Sequence, residues 1–403
     1  MTERQNGTHG PHTRESRVAT SDLGVEGGSV AAARPPAAVG VDVPAEARSG
    51  DPAPVRSRLD SLTGLRFFAA LAVFALHSLS FGQHTWAIAV FTAGTTGVSF
   101  FFIVSGFVMS WTARPGDTAR AFYQRRFARI YPAYAVAWAL SIAFIVVDGR
   151  RPAAVDLLPL TLIQSWVPSE AVYWAANAVF WTLSCEAFFY LVFPVLHRFV
   201  ARWRSSRLAI ALAVALLTIE VVAVIGFLVG DGPISRWFVT VFPVTRLLEF
   251  FVGMLLGTLA VRGVRWRPPA PAVLALVAVA FLAANHVPQS FRDVAVTAVP
   301  FALLVWTAAQ WDITQRRSLL RWRPVVLLGA WSYAFYLVHT LAMRAAFEVL
   351  DRAGWEKESL QGGPLLVAVL GALLLALLAA YALHRVVEVP MERLLRPRAA
   401  ARR

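Results

Sequence analysis

His77 follows Arg66 by eleven positions inside LTGLRFFAALAVFALHSLSF, a run too apolar for a water-exposed helix. Imidazole is the side chain that exchanges a proton near neutrality without perturbation. An ionisable group at bilayer depth is costly, faces a protein interior or a watered cavity, and marks a functional candidate. At ~1.5 Å per residue the interval spans roughly 16 Å, about half the hydrocarbon thickness. One guanidinium near the membrane edge and one titratable ring near mid-depth therefore share a rigid rod. Other apolar segments carry Ser105 in GVSFFFIVSGFVMSW, Arg125, Arg126 and Arg129 in RRFARIYPAY, Glu186 in FWTLSCEAFFYLVFP, and Tyr336 and His339 in LGAWSYAFYLVH. Guanidinium forks suit phosphates, and an elongated anionic cofactor held there could extend a reactive end toward a buried base.

Each residue also has a plainer account. His77 and His339 could be satisfied core histidines, Arg126 and Arg129 anchors at the membrane edge, and Arg125 reads as such an anchor. Ser105 and Gly106 could form a small-residue contact between close helices. Glu249, three residues after Arg246, reads as an intrahelical pair. Cys185 beside Glu186 reads as packing, because buried cysteines are usually inert.

The elements that position these groups follow from composition. The 403 residues are 57% hydrophobic, and mean hydropathy is +0.57. Several apolar runs approach the ~20 residues a spanning helix needs. One cysteine excludes an intrachain disulfide framework, and no metal constellation is evident. The net charge of +14 resides in short arginine bursts between apolar segments, the pattern of membrane loops and not of a nucleic-acid surface. Residues 1–57 contain no aromatic residue, six prolines and seven glycines, and are expected to form a disordered tail.

Spanning helices are expected near 62–83, 88–111, 127–147, 180–196, 208–229, 237–261, 270–285, 294–310, 325–349 and 364–387. The weaker segment 155–167 is assigned as re-entrant or interfacial. If it spanned, the arginine-rich loops 197–207, 262–267 and 311–323 would fall opposite loop 113–126. With ten spans these loops and the tail share one side, which the arginine excess makes cytoplasmic. The expected fold is an all-α polytopic membrane protein with both termini cytoplasmic. By helix depth, Arg66, Arg126 and Arg129 form an inner layer, and His77, Glu186 and His339 a layer beyond it.

These segments together resemble the acyltransferase-3 family of integral membrane O-acyltransferases, which modify bacterial polysaccharides, lipid-linked sugars and some macrolides. LDSLTGLRFFAALAVFALH resembles the family's Arg-x10-His opening helix, and GVSFFFIVSGFVMSW its Phe-Phe-x-x-Ser-Gly-Phe segment. RRFARIYPAY resembles its Arg-x-x-Arg before an aromatic-Pro, and FWTLSCEAFFYLVFP its Trp-Ser/Thr-Leu-x-x-Glu helix. LGAWSYAFYLVH and VVEVPMERLL resemble its last two helices. The resemblance covers about 58–396, leaving 397–403 as a short basic cytoplasmic tail.

The resemblance implies acyl transfer from acyl-CoA, a co-substrate and not a permanently bound cofactor, to a hydroxyl. His77 is then the general base, and Glu186 its orienter or the ligand of the acceptor hydroxyl. Arg66, Arg126 and Arg129 hold the donor's phosphates, with Ser105, Tyr336 and His339 as further site candidates. The acceptor class is a sugar, glycolipid or secondary metabolite such as a macrolide or other polyketide. Lys357 is the sole lysine, a usage that suggests a high-GC bacterium, and the expected location is its cytoplasmic membrane. On physics alone, buried His, Glu and Arg would also suit a proton-coupled transporter or flippase of a glycolipid or anionic solute, although no internal two-fold repeat is apparent. A ligand-sensing receptor has only the N-terminal tail in its favour.

Overall fold

The structure, a computed structural model, describes residues 57–83, 86–114, 116–356 and 358–395. The expected tails at 1–57 and 397–403 lie outside the described residues, apart from Ser57. Among the described residues nine helices are long and apolar enough to cross a bilayer: α1 Asp60–Ser78, α2 Ala87–Thr112, α3 Ala119–Val147, α4 Trp181–Val200, α5 Ser205–Val229, α6 Pro233–Val261, α8 Phe291–Ile313, α9 Arg323–Arg352 and α10 Gly362–Leu395. The tenth expected span, α7 Ala270–Ala284, has only 15 residues, ~22 Å at helical rise and short of the ~30 Å core.

Hydrogen bonds at its two ends nevertheless place α7 across the bundle. At one end, Gln310 Nε2 donates to the Val264 carbonyl (3.3 Å) and Trp306 Nε1 to that of Trp266 (2.8 Å). Nearby, the Asp312 carboxylate accepts from Ser61 N (2.9 Å) and Oγ (2.8 Å), which ties the start of α1 to the end of α8. At the other end, Asn285 Oδ1 accepts from Ala93 N (2.8 Å), while Asp293 accepts from Thr95 Oγ1 (3.0 Å) and Thr240 Oγ1 (2.9 Å). These bonds join helix ends that alternate as the loop charges require. The arginine-rich loops consequently gather at one end.

The 155–167 segment does not span. It folds as two short 3-10 helices, Ala154–Thr161 and Gln164–Trp166. Three α3 side chains hold its backbone: Tyr131 and Tyr134 hydroxyls donate to the Leu160 (3.1 Å) and Pro159 (2.7 Å) carbonyls, and Trp138 Nε1 to that of Asp156 (2.7 Å). Non-helical backbone at this depth persists only where protein satisfies its polar groups. The buried Gln164 and Ser165 side chains in turn donate to the carbonyls of Phe180 (2.8 Å) and Trp181 (2.7 Å). The first turn of α4 therefore starts beneath this cap.

The start of α3 differs most from expectation. α3 begins at Ala119, eight residues early, because Thr118 caps it by accepting from Ala121 N (3.2 Å). Arg125, Arg126 and Arg129 thus project from regular helix. α2 and α6 approach with almost no space at Gly106 and Gly253, where a Cβ would overlap the carbonyls of Phe250 and Ile103 respectively.

Candidate active site

A cavity of about 630 Å³ runs inward from the arginine-rich end, between α1, α2, α3, α4 and α9. Arg66, Ser105, Arg126, Arg129, Glu186 and Tyr336 all line it, together with Tyr190 and Tyr333. Ser105 and Gly106 divide their work: the glycine lets α6 approach, while the serine faces the cavity.

The cavity wall is cationic with aromatic backing. The Arg126 guanidinium lies 5.5 Å from the Phe122 ring and 6.0 Å from that of Tyr190, and Arg66 lies 6.0 Å from the Phe101 ring. Arg126 Nε is buried without a hydrogen-bond partner. Glu186 interacts with Arg66, Arg126 and Arg129 together, and lies against the Tyr190 hydroxyl, which also meets Ser105. Tyr190 was not singled out from the sequence. It follows Glu186 by four residues and so shares its face of α4, the spacing that could have found it.

His77 and His339 are elsewhere, whereas His197 lines the cavity. His77 Nδ1 lies 2.9 Å from His339 Nε2, and His339 Nδ1 lies 2.8 Å from the carbonyl oxygen of Tyr336. Neither histidine lines the cavity. His339 is fully buried and stacks on Phe335 with ring centroids 5.8 Å apart. The ring nitrogen of His77 that an orienting carboxylate would engage is taken by His339. Glu186 stands instead with the arginines, because α4 starts beneath the 154–166 cap and its sixth residue consequently lies deep in the bundle.

Tyr336 stands at the boundary of the two groups. Its ring lines the cavity edge-to-face with Phe101 at 6.0 Å, and its hydroxyl accepts from Thr182 Oγ1 at 3.1 Å. Its carbonyl holds His339. Arg246 and Glu249 form the intrahelical pair expected of them (3.0 Å), away from the cavity. Cys185 is buried with its thiol 3.3 Å from the Val241 carbonyl, the contact of a packed side chain.

A helical membrane bundle with a cationic cavity and, beyond it, a partly buried histidine pair defines a polytopic membrane protein. Residues 59–385 match the acyltransferase domain family, and the chain belongs to that family. It is 37% identical to the acyltransferase MdmB of Streptomyces mycarofaciens over 84% of this chain and 92% of the relative. It is 28% identical to nodulation protein 10 of Rhizobium leguminosarum bv. viciae over 72% of this chain and 83% of the relative. With the exopolysaccharide production protein ExoZ of Rhizobium meliloti it shares 29% identity over 66% of this chain and 80% of the relative. No solved structure matches the chain. The protein is thus a multi-pass membrane acyltransferase.

Proposed function

We propose that the protein moves an acyl group, acetyl or another short acyl, from acyl-CoA to a hydroxyl of a sugar, glycolipid or secondary metabolite such as a macrolide. It acts in a bacterial cytoplasmic membrane with its arginine-rich end facing the cytoplasm. The observation that carries this reading is the cavity entered from that end, where Arg66, Arg126 and Arg129 gather around Glu186 and Arg126 Nε lacks a partner. Phosphates of a CoA donor supply the missing acceptors. A sugar acceptor is favoured by the relative named for exopolysaccharide production, and a secondary metabolite by the near-absence of lysine, a usage that suggests a high-GC bacterium.

A thioester carbonyl is already electrophilic, so the demanding steps are removing the hydroxyl proton and stabilising the oxyanion. His77 takes the acceptor's proton as its oxygen attacks the carbonyl carbon. The tetrahedral intermediate then expels the CoA thiolate, which is protonated as the ester forms. Arg66, Arg126 and Arg129 hold the donor's phosphates, and Glu186 sets the charge of that wall. Tyr336 stands between the inner end of the cavity and the histidine pair, and Ser105 faces the cavity.

The decisive measurement is transfer from acetyl-CoA by purified protein in detergent, with candidate glycoside and macrolide acceptors and no membrane gradient. A gradient-driven transporter would be silent in it. In that assay His77→Ala loses at least about a hundredfold in turnover, the ordinary cost of a missing general base, with membrane abundance unchanged. A variant retaining a tenth of the rate would remove His77 from the mechanism.

A further inference from the structure

We infer that His339 is a positioning residue that holds His77 in the Nδ1–H tautomer and so leaves Nε2 of His77 as its basic atom. The acyltransferase reading is needed only for what that atom does, not for where the protons sit. The argument counts donors and acceptors. The carbonyl oxygen of Tyr336 can only accept, so its 2.8 Å contact with His339 Nδ1 places a proton on that nitrogen. In a neutral ring, His339 Nε2 then carries a lone pair. The 2.9 Å contact between this nitrogen and His77 Nδ1 must draw its proton from His77. Nδ1 of His77 is the donor, and Nε2 is left bare.

The surroundings lock this order. His339 is fully buried, lies nearly parallel to Phe335 (13° between planes), and is backed by Phe74 at 6.4 Å. The two imidazoles sit 5.1 Å apart at 32°. Turning over the His339 ring would forfeit both bonds and strand buried nitrogens. The pair thus differs from a carboxylate-oriented base. His339 brings no charge, yet its lone pair is aimed at the proton whose bond strengthens when Nε2 of His77 gains the acceptor's proton. An interaction stronger in the protonated ring is the kind that accelerates a proton transfer. Tyr336 joins this pair to the donor cavity, because its carbonyl fixes His339 while its ring lines the cavity.

The test is ¹⁵N NMR of full-length, histidine-labelled protein in detergent without substrate, the His77 signals being assigned by their loss in His77→Gln. The wild type is expected to show His77 protonated at Nδ1. His339→Leu should move that proton to Nε2. His339→Gln, whose side-chain oxygen takes the place of Nε2, should retain it on Nδ1. Beside the spectra, His339→Leu should lower kcat about tenfold or more with KM for acetyl-CoA unchanged, and His339→Gln should recover most of it. A wild-type His77 protonated at Nε2, an unchanged tautomer in His339→Leu, or equal kcat loss in both variants overturns the inference. If the leucine variant does not fold, the wild-type and glutamine spectra decide. Neither spectrum depends on acyl transfer, so failure of the proposed reaction would leave this result standing.

Discussion

Two arginine sites lie inside the helical bundle, and they differ in what answers the charge. Arg246 is 1% exposed and closed on every side. It has one carboxylate, Glu249 at 3.0 Å, with Nη2 3.2 Å from Ser99 Oγ and the rings of Phe102 and Trp181 at 5.1 and 5.9 Å. In the cavity, Arg66, Arg126 and Arg129 share Glu186 and face open space. One charge matched to one charge builds a closed pin across α2, α4 and α6. The cavity lining, with six arginines and four carboxylates, leaves an excess of positive charge, which would attract an anion. The ratio of partners, not the presence of arginine in a membrane helix, separates structure from binding.

The largest effect should come from breaking the closed pair. Glu249→Ala leaves Arg246 buried without its counter-charge, a loss of about 3–5 kcal/mol, and thermal unfolding in detergent should register it as a large drop. Replacing both partners, Arg246→Met with Glu249→Leu, should restore most of the stability, because the desolvated charge goes with the pair. An equally stable Glu249→Ala protein would mean that water reaches Arg246, and the contrast between the two sites would collapse.

At the open site the same kind of truncation should spare folding and weaken binding. Arg129→Ala should reduce CoA affinity about ten- to a hundredfold, the scale of one charge-assisted hydrogen bond of ~1.5–3 kcal/mol, with thermal stability unchanged. Arg129→Lys should recover part of it, since an ammonium keeps the charge and loses the fork. Calorimetric titration with CoA checks both. Normal binding by Arg129→Ala would take the donor out of this cavity.

Hydropathy and arginine placement made the span order legible, and the folded loop at 154–166 followed from charge alternation. α7 was placed to within one residue, 270–285 against Ala270–Ala284, because Pro269 and Asn285 bound the apolar run at both ends; its shortness was already in the sequence. The start of α3 was placed late because its arginines read as loop, whereas the Thr118 cap draws them into the helix. Within the site, equal depth on α1 and α9 grouped His77 with His339, as found. Glu186 was misplaced into their layer. Counting from a helix end assumes that the end lies at the membrane surface, and α4 starts under Gln164 and Ser165. That offset is a tertiary fact with no signature in the α4 sequence.

The relocation of Glu186 changes what its removal should do. Placed beside His77, Glu186→Gln would lower turnover and leave donor affinity nearly unchanged. Placed among three arginines, its carboxylate competes with the donor's phosphates for the same guanidinium forks. Glutamine keeps the size and much of the hydrogen bonding and deletes one negative charge from the wall. CoA affinity should therefore rise, by about two- to fivefold, the ~0.5–1 kcal/mol that a charge in a partly solvated site commands. The gain should shrink as salt is raised, because the added attraction is Coulombic and the cavity mouth admits ions. Titrations of wild type and Glu186→Gln with CoA at low and high salt read both quantities. Unchanged CoA affinity with reduced turnover would mean that Glu186 serves the acceptor hydroxyl and not the charge of the donor wall.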